Sequence, residues 1–238
     1  MKVNEFLEKL NKALNVNTCY LQGGFGCRLW VPDWYSKTYS WNKANAEIIN
    51  AHSSPSQHCF GFDCVCLIKG VLWGFDADIN KNYGGAVYKS NGVPDCTGSA
   101  LAAACPDYST TFAIMPEPGE ILFYDKNASH VGVYIGDGQV IEATPSWTCG
   151  VQKTLLSGFL NPDRLPVRSW YAHGHLSYID YSKPETDVDY KKAFTELSDK
   201  YAKLQSTNND LLKQITVLEM ANNSLTSKIE RIKEVIGK

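Results

Sequence analysis

Val3, Phe6, Leu7, Leu10 and Leu14 recur at steps of three and four, so residues 3–14 are expected as an amphipathic helix capping the domain. Residues 20–60 show no sustained period and are rich in Gly, Trp, Tyr, Ser and Asn. That composition predicts irregular wall or loop, with a short helix near residues 44–49. The apolar run Val65 to Val71 predicts a helix over 61–73, and a Gly/Asn/Tyr-rich connection over 76–95 leads to a small helix near 99–105. The pattern then changes. Residues 120–124, 131–135, 139–143, 151–155 and 176–179 are expected as strands separated by turn signals, notably Gly136-Asp137-Gly138. Helices followed by a small antiparallel sheet make an α+β domain over residues 1–181.

Past Tyr181 the pattern changes. A linker at 182–189 leads into a stretch in which Phe194, Leu197, Tyr201, Leu204, Asn208, Leu211, Ile215, Leu218, Asn222, Leu225, Ile229, Ile232 and Ile236 alternate steps of three and four. Residues 190–238 therefore read as a coiled-coil helix of about six heptads. Asn208 and Asn222 stand at a positions beside isoleucines, with mostly leucine at d, the arrangement that favours a parallel homodimer in fixed register. The flanking pairs Lys200/Gln205 and Lys228/Lys233 add no charge complementarity, and a helix folded back on its own domain is the competing reading.

The 238 residues, 44% hydrophobic and 12% aromatic, suffice for one packed domain plus this appendage. A net charge of −2 without Lys/Arg clusters argues against a nucleic-acid partner. No apolar stretch is long enough to span a bilayer, and the first residues lack the form of a signal peptide, so synthesis in a reducing cytoplasm is expected. Eight cysteines are then read as reduced thiols.

Two segments carry chemistry. Phe60-Gly-Phe-Asp-Cys-Val-Cys66 puts Cys64 just past a turn at the start of a helix, where free amides favour a thiolate. Ser129-His130-Val131-Gly132-Val133-Tyr134-Ile135 puts His130 at the start of a rigid strand, fit for a general base. Glu142, on the return strand of the Gly136-Asp137-Gly138 hairpin, falls roughly opposite His130 and can accept its ring N–H. Cys66 lies about 200° round the helix from Cys64 and is expected to face the core. Asp63 reads as an N-cap as readily as a site residue. Cys59, Cys64, Cys66, His52 and His58 lack paired Cys-x-x-Cys knuckles, so no metal or other cofactor is expected. His173 and His175 have no partner motif, and the remaining cysteines read as buried hydrophobes.

Phe62-Asp63-Cys64 followed by an apolar helix, together with His130 to Gly138, resembles the two signature blocks of the NlpC-type papain-like cell-wall peptidases. Tyr20-Leu21-Gln22-Gly23-Gly24 is similar to that family's Tyr-x-x-Gly-Gly stretch, whose tyrosine lines the site. The resemblance covers about residues 15–181. It implies a papain-like domain, a Cys64/His130/Glu142 triad, substrate contacts at Tyr20 and Asp63, and hydrolysis of amide bonds in bacterial peptidoglycan, as in many bacteriophage lysins. Three features depart from the family pattern. Val65-Cys66 stands where Ser-Gly is usual. The third position is glutamate rather than histidine, closer to the CHAP amidases, which cut between muramic acid and alanine. A long insert with Trp30, Trp34 and Trp41 separates Tyr20 from Asp63. The alternative to an enzyme is a wall-binding or structural protein organised by the coiled coil.

Overall fold

The computed structural model of the protein describes residues 1–31, 39–81, 83, 92–182 and 190–237. They fall into two units, Met1–Ser182 and Lys183–Lys238. The first has the α+β architecture expected from the sequence. Trp34 and residues 183–189 of the expected linker lie outside the described residues.

Helix α1 (Val3–Leu14) buries Phe6, Leu10 and Ala13 on one face, and burying such a Phe or Leu is worth roughly 1.5–3 kcal/mol. Its partner is α4 (Cys64–Leu72), buried along nearly its whole length. These side chains join Phe60, Phe62, Phe75, Ile121, Phe123, Val131, Val133 and Ile141 in the main core. Lys2 and Asp180 pair at 2.7 Å, and the Val3 amide donates to the Asp180 carbonyl, so the two ends of the first unit meet.

The sheet has six strands. In chain order they are β4 (Ile121–Phe123), β5 (Val131–Gly136), β6 (Gln139–Thr144), β7 (Gly150–Leu156), β8 (Val167–Arg168) and β9 (Ala172–Gly174). Their spatial order is β8-β7-β6-β5-β4-β9, antiparallel except for the parallel edge pair β7–β8. Asp137 (φ 51°) and Gly138 (φ 73°) turn the β5–β6 hairpin, and two left-handed residues in a two-residue loop match the right-handed strand twist.

Four expectations are corrected. The helix expected over 61–73 begins only at Cys64: Asp63 is extended, and its carboxylate caps the Cys66 amide at 2.6 Å. Residues Phe60–Phe62 are instead strand β3, which joins β1 (Thr18–Tyr20) and β2 (Phe25–Arg28) in a separate three-stranded sheet of order β1-β3-β2. Strands of three or four residues are too short to show a period. The expected strand at 176–179 is a turn, closed by the Ile179 amide on the Leu176 carbonyl. Its Leu176 and Ile179 are apolar because they plug the core, and the edge strand is β9. In the insert, the single helix near 44–49 is two, α2 (Ser40–Ala44) and α3 (Ala46–Ala51), broken at Asn45, whose side chain donates to the Trp41 carbonyl. The small helix near 99–105 is α5 (Gly98–Ala103).

The second unit is helix α6 (Tyr190–Ile236). The seam from Phe194 to Ile236 stands open along it, Ile215 being its least exposed large apolar side chain at 50%. No helix among the described residues is long and apolar enough to cross a membrane.

Candidate active site

Cys64 opens α4, with Asp63 as the hinge between β3 and the helix. One Asp63 oxygen accepts from Cys66 N and the other from Gly23 N at 2.7 Å, while the Asp63 amide donates to the Gly24 carbonyl. Both oxygens of this expected substrate-contact residue are thus taken up inside the protein, tying the Tyr20–Gly24 turn to the helix start. The amides of Val131, the residue after His130, of Val65 and of Cys64 itself each pull the Cys64 thiol downward. The sequence argument from helix position expects easier ionisation, and these amides do pull that way. Burial dominates, seconded by the Asp63 charge, and the thiol is pushed up to about 12. A buried sulfur loses more from desolvation than three amides return, so the resting group is the neutral thiol. Cys66 is also buried, and burial followed by the Asp63 carboxylate raises its thiol well above the ordinary value. Cys64 itself belongs to the main core cluster, so burial does not tell the two thiols apart.

His130 Nε2 lies 2.5 Å from Glu142 Oε2. Glu142 is fully buried and also receives Thr154 Oγ1 at 2.6 Å and Arg168 Nε at 3.0 Å on Oε1, with Arg168 Nη2 at 2.9 Å on Oε2. Burial alone would raise its carboxyl; the hydrogen bonds from His130 and Arg168, the His130 charge and Thr154 more than offset it, and the net shift is downward. The Glu142 carboxylate accepts a hydrogen bond from Nε2–H, the tautomer that turns Nδ1 outward as the ring's acceptor nitrogen. Among the described residues the hydrogen bond of the His130 ring is the one from Nε2 to Glu142, which leaves Nδ1 for the thiol or a substrate.

The ring is also held by packing. Trp170 stacks on it, centroids 5.7 Å apart and planes within 18°. Gly132 makes room for this: a Cβ there would stand 2.8 Å from the Trp170 ring and 2.8 Å from Val140. Arg168 lies among three aromatic rings, 4.9 Å from Trp147, 5.5 Å from Tyr124 and 5.8 Å from Trp170, which fixes its guanidinium over Glu142.

Tyr20 ends β1 and meets Trp41 edge-on at 4.8 Å. Burial, then the neighbouring Cys64, Asp63 and Cys66, pushes its phenol above the ordinary range, which places it beside the nucleophile candidate. The insert contributes here. Buried Asn42 grips Gln22 by both backbone groups, accepting from its N and donating to its O at 2.9 Å each, so α2 holds the Tyr20 turn rigid.

The structure thus brings Cys64, His130, Glu142, Tyr20 and Asp63 into one neighbourhood. Sequence reasoning missed Arg168, Thr154, Trp170 and Asn42, none of which stands in a motif. The one available signal was that a buried Glu142 needs donors. His173 and His175 lie elsewhere: His173 bridges Glu120 at 2.5 Å and the Thr111 carbonyl at 2.9 Å, and His175 pairs with Asp107 at 2.5 Å. Among the described residues no group of three or more His, Cys, Asp or Glu is arranged to hold a metal.

Two solved structures are similar to this chain. The peptidoglycan hydrolase RipB of Mycobacterium tuberculosis is 16% identical with a TM-score of 0.40, covering 75% of this chain, which in turn spans 65% of that one. The P60 domain of an antigen from M. avium subspecies paratuberculosis is 17% identical with a TM-score of 0.40, covering 75% of this chain and 96% of that one. No curated protein sequence matches. The NlpC/P60 family model matches residues 36–159, over half of the chain and the stretch that carries Cys64, His130 and Glu142, and the protein belongs to that family.

Proposed function

We propose that the first unit is a cysteine hydrolase of peptidoglycan amide bonds. The observation that supports this most is the His130–Glu142 pair, locked by Arg168, Thr154 and Trp170 beside the helix start that carries Cys64. On this reading the neutral Cys64 thiol passes its proton to His130 Nδ1 as sulfur attacks the scissile carbonyl. Glu142 stabilises the imidazolium, the Cys64 amide helps hold the oxyanion, and His130 then protonates the leaving amine. Water releases the thioester with His130 again as base. Tyr20 lines the pocket, and Asp63 acts by fixing the Tyr20 turn to Cys64.

The bond cut is that of a wall stem peptide. Glutamate at the third position also fits the amide between muramic acid and alanine, as in the CHAP amidases, and product masses distinguish the two. Residues 190–238 form a parallel two-stranded coiled coil, pairing two catalytic units on a polymer of repeated sites, the arrangement of a phage lysin delivered to the wall. The test is release of soluble fragments from purified peptidoglycan by the full chain. A protein that binds walls yet releases nothing points to the binding-protein alternative.

A further inference from the structure

Two half-exposed aromatic rings flank Arg168 beside the His130–Glu142 pair. Trp147 is 52% exposed and lies 4.9 Å from the Arg168 guanidinium. Tyr124 is 45% exposed, 5.5 Å from the same guanidinium and edge-on to the His130 ring at 6.4 Å. Each ring is carried by a braced turn. Trp147 stands in the turn joining β6 to β7 with a left-handed backbone (φ 58°), which a bulky residue adopts only where its surroundings impose it. Buried Gln152 donates to the Ser146 carbonyl at 2.9 Å and accepts from the Thr148 amide at 3.4 Å, and buried Thr144 accepts from the Ser146 amide at 3.3 Å. The Tyr124 amide donates to the His130 carbonyl at 3.0 Å, and the neighbouring Asp125 carboxylate accepts from the Asn127 and Ser129 amides. Both rings are thus fixed before a ligand arrives, which lowers the ordering cost of binding.

Arg168 supplies the polar part. Its Nε and Nη2 are taken up by Glu142 and Thr144, while Nη1 makes no hydrogen bond among the described residues. The guanidinium charge is already matched by Glu142, so the remaining N–H suits a neutral oxygen better than a second carboxylate. Flat aromatic faces around a donor for a neutral oxygen match an N-acetylated pyranose, whose C–H face stacks on the rings and whose acetamido carbonyl accepts the N–H. A stem peptide, with its carboxylates and short side chains, offers two such rings less.

We propose that Trp147, Tyr124 and Arg168 Nη1 form a saccharide subsite that holds an N-acetylated sugar of the glycan strand beside the reacting amide. Its role in turnover rests on the peptidoglycan-hydrolase reading; its capacity to bind the sugar does not. The subsite makes the protein favour stems still attached to glycan over the same peptides set free.

Two readouts on the full chain test this. Binding of a soluble N-acetylglucosamine tetramer is followed by titration calorimetry, which needs no hydrolysis. Turnover is compared on a glycan-linked stem and on the same stem peptide freed from glycan. The unsubstituted protein is expected to bind the tetramer and to show a KM about tenfold lower for the glycan-linked stem. Trp147→Ala is expected to lose both the binding and the KM preference, and Trp147→Tyr to keep most of each. A fall in kcat from a loosened Arg168 acts on both substrates and cancels in their ratio. Absence of tetramer binding by the unsubstituted protein overturns the subsite, whether or not a variant folds, and so does a preference that survives Trp147→Ala. Tetramer binding that depends on Trp147, with no fragment released from any substrate, supports the subsite and removes the hydrolase reading. Hydrolysis without a difference between the two substrates does the reverse.

Discussion

His130 and Glu142 meet at 2.5 Å although the hairpin register sets them on a diagonal. Val133 pairs with Ile141, which carries Glu142 opposite Gly132, so the carboxylate reaches the imidazole two residues further along the same face. Gly132 leaves that face open, Trp170 fills it, and Arg168 closes the cluster from β8.

Removing the charge at Glu142 should therefore cost both activity and stability. Glu142→Gln keeps the shape but can present its amide to Nε2 and leaves Arg168 without its counter-charge. Turnover is expected to fall on the order of a hundredfold or more, and unfolding free energy by about 3 kcal/mol. Arg168→Lys keeps the charge and loses the paired donors and the stacked plane. It is expected to lower kcat on the order of tenfold with little change in KM. Steady-state kinetics and denaturant melts on the folded variants check both.

Gly132→Ala tests the packing half of the site. The added methyl must push Trp170 or Val140, each 2.8 Å away. A loss of about 1–3 kcal/mol is expected from this overpacking, with a fall in activity as the ring that braces His130 tilts. Thermal melts and turnover, compared with the far-side Ala143→Gly, separate the brace from general core loss.

The two ends of the pH scale carry opposite signs. Glu142 is lowered in the folded chain, so its contribution to stability is present above the usual 4.5 and is lost as pH falls through the folded value. Cys64, Cys27, Cys59 and Cys105 are each raised from 9.0 to about 12 by burial. Their neutral thiols favour folding fully below 9.0, and that contribution is lost as pH climbs toward 12. Melting temperature should drop steeply over that alkaline window, and alkylation of Cys64 in the folded protein should rise into it without a plateau at acidic pH. A plateau there would mean a preformed thiolate–imidazolium pair instead.

The open seam of α6 predicts a concentration-dependent dimer. Leu218→Asp, at a d position, should give monomer in sedimentation equilibrium while leaving the first unit's melt unchanged. Asn222→Leu should strengthen association but loosen the choice of two strands over three.

The chain's periods disclosed its long elements. Helices α1 and α6 were legible from apolar positions at steps of three and four, and strands β4 to β7 from short apolar runs set off by turn signals. The β1-β3-β2 sheet was hidden because its strands are three or four residues long, and β9 because the apolar pair Leu176 and Ile179 lies in a turn just past it. At the site, Cys64, His130 and Glu142 could be named from local motifs. Arg168 and Trp170 could not, since they come from an edge strand and the loop after it and reach His130 only through tertiary contact. Ionisation of Cys64 went the other way for a similar reason: helix position is local, whereas desolvation depends on everything packed round the sulfur.

The most direct measurement of the central claim is mass-resolved fragment release from purified peptidoglycan by the unsubstituted chain, Cys64→Ala and Cys66→Ala at equal folded concentration. The account predicts that Cys64→Ala alone abolishes release, with product masses that name the amide cut. Loss of release only in Cys66→Ala, or release undiminished in Cys64→Ala, would contradict it.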